Sequence, residues 1–153
     1  VSIQEAKCHD AHGAAFTRIE GVGGSIVKGF SDNWSNRVGL VPLIYSRGGT
    51  PLGAALAWAG CLIRQRPEER KVIIVLTDGQ IDDQVSEVIE LIEQWGIESI
   101  GIGLEDPVSG YSCVVSDHFK VAVDNCKAAD ISTKILDTLI AESEKQNGDR
   151  QAA

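Results

Sequence analysis

Lys71-Val72-Ile73-Ile74-Val75-Leu76-Thr77-Asp78-Gly79 is the stretch that decides the fold of this chain. Val72 to Leu76 run apolar without alternation, as a strand does when both its faces are covered in a parallel sheet. Thr77-Asp78-Gly79 then turns the chain, which leaves a carboxylate at the exit of the most apolar strand.

Helical patterns flank this strand on both sides. Upstream, Thr50 suits an N-cap and Pro51 the first helical position. Leu52, Ala55, Leu56, Ala59 and Leu62 with Ile63 form an apolar stripe, predicting a helix from Pro51 to about Gln65. Downstream, Val85, Val88, Ile89 and Ile92 predict a helix from Gln84 to Trp95, stopped by Gly96.

Further out, Glu98 to Gly103 reads as a strand, Leu104 to His118 as loop, and Phe119 to Val123 as a last strand. Asp130 is expected to cap a closing helix carrying Ile131, Ile135, Leu136, Leu139 and Ile140. Towards the N-terminus we expect a helix from Ser2 to about Glu20, a break at Gly21 to Gly24 and a strand from Ser25 to Phe30. Ser31 to Arg37 reads as polar loop or a turn of helix, and Val38 to Tyr45 as a strand that Pro42 pushes to an edge.

Strands alternating with helices imply an α/β domain, a doubly wound and mostly parallel sheet with helices on both faces. At 153 residues the expectation is one domain, 1–146, followed by a flexible tail, 147–153. Hydrophobic residues at 43% and charged residues at 24% are an ordinary globular balance. Acidic residues outnumber basic ones 22 to 14, and no basic stripe with interleaved aromatics occurs, which argues against nucleic acid as a partner. Apolar stretches stop far short of the roughly 20 residues of a membrane span. Cys8, Cys61, Cys113 and Cys126 are widely spaced with no C-x-x-C, as expected of reduced thiols in a cytoplasmic protein. Val1 to Lys7 lacks an initiator Met and a signal-peptide layout, so a piece of a longer polypeptide is expected.

In an open α/β sheet, functional groups gather at the carboxyl ends of the strands. Two segments bring oxygen there: Gly48-Gly49-Thr50-Pro51, with a hydroxyl at a helix N-terminus, and Thr77-Asp78-Gly79, with a carboxylate. Taken singly, Thr50 reads as an N-cap and Asp78-Gly79 as a turn. Together they suit two corners of a hard-cation site, since Mg²⁺ takes hydroxyl, carboxylate and water oxygens in an octahedron.

At these residues the chain resembles the von Willebrand factor A (vWA) family, whose metal site joins a DxSxS motif after the first strand to the Thr of a GGT loop and the Asp of a TDG turn. Gly29-Phe30-Ser31-Asp32 is similar to the end of that family's second strand, and Ile100-Gly101-Ile102-Gly103 to its later IGIG strand. The likeness spans about Ser2 to Ala141 and is nearest to the C-terminal domain of the cobaltochelatase subunit CobT. Arg66-Pro67-Glu68-Glu69-Arg70-Lys71 looks like the charged connector of those domains, and Asp82-Asp83 like their acidic pair. The departure is the absent DxSxS: Val1 lies where the family's first helix begins, which implies a domain lacking its first strand and three of five metal-site residues. Asp32-Asn33-Trp34-Ser35-Asn36 does not replace it, because its spacing differs and it follows the wrong strand.

The resemblance implies a non-catalytic protein-interaction module with a partial metal-ion-dependent adhesion site. Thr50 and Asp78 would be the metal ligands, and Mg²⁺ or Mn²⁺ would bind only if the missing motif were supplied. It also implies a partner of the MoxR/CobS type, an AAA+ ATPase, in a chelatase-like assembly. The residues admit a second reading, a small metal-dependent phosphohydrolase or phosphotransferase using Asp78, although no second aspartate stands two residues away. Cys113 and Cys126 read as inert thiols, His118 beside Asp117 as a loop residue, and Trp58 and Trp95 as core or partner contacts.

Overall fold

A computed structural model of the chain describes residues 16–19, 22–43, 51–78, 85–105 and 113–152. Its elements are β1 (Phe16–Ile19), β2 (Val22–Ser25), α1 (Leu52–Arg64), β3 (Lys71–Thr77), α2 (Val85–Gln94), β4 (Ile97–Leu104), β5 (Val121–Cys126) and α3 (Ile131–Ala152). The chain divides into two compact units, one of Val1–Glu69 with Ile81–Trp95, the other of Arg70–Gln80 with Gly96–Ala153.

The second unit holds a parallel sheet in the order β3-β4-β5. Strand β3 runs in register with β4 from Lys71 opposite Ile97 to Thr77 opposite Gly103. The apolar run at 71–77 thus forms the strand its pattern predicts, but β4 is the middle strand of the three and β3 lies at one end. Alternate residues Ile73, Val75 and Thr77 are buried on one face. Val72 and Ile74, on the other face, pack with Val121 and Val123 around buried Ile100, Ile102 and Cys126. Helix α3 closes this face with Ile131, Ile135 and Leu139, spaced four apart so that one stripe meets the sheet. Leu136 and Ile140, one position further round the helix, are exposed.

The opposite face of β4 is glycine at two positions. A Cβ on Gly101 would lie 2.5 Å from the Phe119 ring, and one on Gly103 would lie 2.5 Å from the Cys113 carbonyl oxygen. Buried Cys113, Val115 and Phe119 lie on this side, so the 113–119 segment approaches the strand through the space those glycines leave. At the sheet's other end, Arg70 grips Glu98 through two hydrogen bonds of 3.0 and 2.9 Å and also donates to the Ser143 hydroxyl of α3.

In the first unit, α1 and α2 pack together. Leu52, Leu56 and Gly60 are buried at helical spacing, while Ala55, expected in the stripe, is exposed. A Cβ on Gly60 would come within 2.8 Å of Ile92, so glycine there lets the two helices approach closely. Val85, Ile89 and Ile92 are the buried face of α2, as its periodicity predicts. Gly96 follows in the left-handed conformation at φ 72°, which suits a residue without Cβ beyond a helix end. Arg64 lies 4.9 Å from the Trp95 ring centre, and Arg66, which pairs with Glu68 at 2.8 Å, stands over Phe30.

Several local expectations change. Phe16–Ile19 and Val22–Ser25, where the end of a helix and a glycine break were expected, pair as antiparallel strands with Ile19 opposite Val22. Thr17, Ile19 and Val22 are β-branched and Gly23-Gly24 resists helix, so strand pairing wins locally. The strand expected at 25–30 is therefore displaced to Val22–Ser25, and 26–30 is irregular. Val38–Leu43 is 3-10 helical instead of extended, a conformation compatible with the fixed φ of Pro42. The cap position of α1 is Pro51, one residue later than the Thr50 expected there; it has no side-chain cap, and its carbonyl accepts the Ala55 N–H at 3.1 Å. The last strand begins at Val121, two residues late, and α3 continues to Ala152, beyond Asn147 where the tail was expected to start. The N-terminal helix expected over residues 2–15 lies outside the described residues.

Candidate functional site

Asp78 follows the last residue of β3 and is exposed, whereas Thr77 before it is buried. This placement at the carboxyl end of a parallel strand agrees with the sequence expectation. Thr50, Gly48, Gly49, Gly79 and Asp82-Asp83 lie outside the described residues.

Beside the last residue of β3 lies the 113–119 segment, whose Cys113 thiol reaches the Thr77 carbonyl. Strand β5 carries an irregularity against β4 between Ile102 and Leu104. Two residues, Asp124 and Asn125, occupy β5 where Gly103 alone separates the paired positions on β4, as at a bulge. Asn125 is left-handed at φ 54°, a conformation asparagine tolerates better than most residues, and its N–H donates to the Cys113 carbonyl at 3.1 Å. Asp124 accepts the N–H groups of Val115 and Ser116 at 2.6 and 3.1 Å and the Ser116 hydroxyl at 2.6 Å. Together these bonds hold the 113–119 segment to the end of the sheet. His118 sits in the turn of that segment, its N–H donating to the Val115 carbonyl at 3.0 Å.

The Ser116 hydroxyl, followed by the Val115 and Ser116 amides, holds the Asp124 carboxyl below its ordinary range against an opposing push from burial. A depressed carboxyl contributes stability that is complete above the unfolded value, about 3.9, and disappears as pH falls through the lower folded value. Asp124→Ala is therefore expected to cost about 1 kcal/mol at pH 7, and the deficit should shrink below about pH 4. Urea denaturation at both pH values measures it; a deficit that does not change with pH would mean the loss comes from packing.

The Cys113 side chain points back to β3. Burial pushes its thiol up, a backbone hydrogen bond from Leu104 acts the other way, and the charges of Asp78 and Asp124 add to the upward push. The thiol therefore stays protonated at neutral pH and donates to the Thr77 carbonyl, with Sγ 3.5 Å from the oxygen. Cys61, Cys113 and Cys126 are all free thiols.

Asp32, weighed as a substitute ligand, is committed elsewhere. Its carboxylate receives the Gly29 N–H at 2.8 Å and an Arg37 fork at 3.0 Å to each oxygen. Arg37 first, then the Gly29 amide, holds its carboxyl below the usual range. Asn33 caps the following turn by accepting the Ser35 N–H at 3.1 Å. Segment 32–36 thus leads into a short 3-10 helix, Trp34–Asn36, with the Asp32 carboxylate held by Gly29 and Arg37.

Asp78 offers a hard oxygen suited to one corner of a Mg²⁺ octahedron. Among the described residues, no group of three or more His, Cys, Asp or Glu could hold a metal ion. The described donors by themselves do not form a cation site. Asp124, the other carboxylate whose charge reaches Cys113, is engaged by Ser116. No helix among the described residues is long and apolar enough to cross a membrane.

In comparison with known families, the model of the von Willebrand factor type A domain matches residues 36–133. No curated protein and no solved structure matches the chain.

Proposed function

The chain belongs to the von Willebrand factor type A domain family, and on that premise we propose that it is a non-catalytic protein-interaction module whose contact face lies at the carboxyl ends of its parallel strands. The supporting observation is Asp78, an exposed carboxylate at the exit of β3 and within the matched range. A carboxylate in that position can take a cation corner or a basic group of a partner.

We further propose that Thr50 and Asp78 are two ligands of a Mg²⁺ or Mn²⁺ site that needs additional oxygens to close. Two protein oxygens leave most of the octahedron to water, and Mg²⁺ dehydrates reluctantly, so the chain unaided should hold the ion weakly. The partner proposed is an AAA+ ATPase of the MoxR/CobS type, in a cytoplasmic chelatase-like assembly. This rests on likeness to CobT-type domains, which is a fold-level warrant.

Calorimetry with Mg²⁺ and Mn²⁺ tests the site. The chain is compared with one joined upstream of Val1 to a strand bearing DxSxS, each also as Asp78→Ala. Binding is expected in the joined form, at least tenfold weaker in the chain unaided, and lost from the joined form on Asp78→Ala, as removal of a charged ligand implies. Equal binding by Asp78→Ala would remove Asp78 from the site.

A further inference from the structure

We propose that the 113–119 segment is a latch that positions Asp78, with Cys113 as the positioning residue. The inference rests on the reading of Asp78 as a contact group, and it names what sets that group's place.

The Thr77 carbonyl and the Asp78 nitrogen belong to one planar unit, so holding the oxygen also fixes the direction in which the Asp78 Cα leaves the strand. Strand β3 holds the chain in register as far as Thr77, paired with Gly103. The Cys113 thiol meets the Thr77 carbonyl at that last position, 3.5 Å away. A buried thiol kept protonated by its surroundings is a steady donor, and removal of the donor leaves no substitute on that side chain.

The sulfur reaches the carbonyl because its own backbone is held in three ways. Gly103 leaves the space, since a Cβ there would lie 2.7 Å from Sγ and 2.5 Å from the Cys113 oxygen. The Asn125 N–H holds that oxygen at 3.1 Å. Asp124 grips Val115 and Ser116 beyond it. A force on the 113–119 segment, whether from a bound partner or from protonation of Asp124, would therefore be transmitted to the peptide that carries Asp78.

Labelled protein read by NMR at the Thr77 carbonyl carbon and the Asp78 amide nitrogen provides the test, with the methyl signals of Ile100 and Ile102 reporting the core. Cys113→Val removes the donor at similar volume, and Cys113→Ser keeps one. The latch predicts that Cys113→Val displaces both signals while Cys113→Ser leaves them near their original positions, the core methyls being unchanged. If Cys113→Val does not fold, Cys113→Ala removes the donor with less steric demand. Unmoved signals in the donor-free variant, or equal displacement with serine, would overturn the proposal. Mn²⁺ broadening of the original protein, compared with Asp78→Ala, tests the contact reading separately, because the latch readout requires no metal. Where Mn²⁺ binds, Cys113→Val should weaken it about two- to fivefold, the scale of one weak hydrogen bond.

Discussion

Ile102→Ala is expected to lower the stability of the sheet unit by about 3–4 kcal/mol. Ile102 is fully buried, 0% exposed, in the middle strand of the sheet. It belongs to the cluster with Ile100 and Cys126, against which the α3 stripe Ile131, Ile135 and Leu139 packs. Truncation removes three carbons, about 2.4 kcal/mol of transfer free energy at roughly 0.8 kcal/mol each. The remainder is the cavity, because β4 is paired on both sides and cannot move in to fill it. Ile102→Val, which removes one carbon, should cost about 1 kcal/mol. Urea denaturation followed by the linear extrapolation method measures both. A loss below about 1 kcal/mol for Ile102→Ala would mean that α3 does not close on this face.

Gly103→Ala is the second large effect, and its sign opposes the local preference of the chain. In a strand interior alanine is ordinarily better than glycine by roughly 0.5–1 kcal/mol. Here the added Cβ would lie 2.5 Å from the Cys113 oxygen, 2.7 Å from Sγ and 3.2 Å from the Cys113 carbonyl carbon. Two of those atoms are backbone, held by the Asn125 amide, so they cannot rotate away as a side-chain tip could. The expected result is a loss of about 2–3 kcal/mol, the range of overpacking in a filled core. It should be accompanied by displacement of the 113–119 segment, visible as shifted Val115 and Ser116 amide signals. Cys113→Ala in the same chain removes the sulfur contact and leaves the carbonyl contact, so it should restore only part of the loss. A Gly103→Ala protein as stable as the original would show that the segment does not lie against β4.

Neither residue is prominent for the same reason. Ile102 was legible because it alternates with glycine in the short run Ile100-Gly101-Ile102-Gly103, and alternation reports which face is buried. Gly103 looked like an ordinary end to that run, and what makes it intolerant is a segment about ten residues further on that folds back over it. The candidate site divides similarly. Asp78 could be read from the apolar run and the turn that follows, and its exposed position at the exit of β3 agrees. Asp124 and Ser116 were not legible, since they lie eight residues apart across a turn and the start of a strand and form no recognisable spacing.

The sequence by itself determined α1, α2, β3, β4 and the glycine stop at Gly96, because each is written in side-chain periodicity or backbone permissiveness within a few residues. The pairing of 16–19 with 22–25, the conformation of 38–43, the late start of β5 and the exposure of Ala55 were decided by competing local preferences or by which neighbours happen to cover a face. The tertiary structure alone decided the hold of Cys113 on the Thr77 carbonyl and the grip of Asp124 on Ser116. Such contacts join residues whose separation along the chain carries no periodic signal. They arise only once the parallel crossover has brought β3, β4 and β5 side by side and their carboxyl ends together.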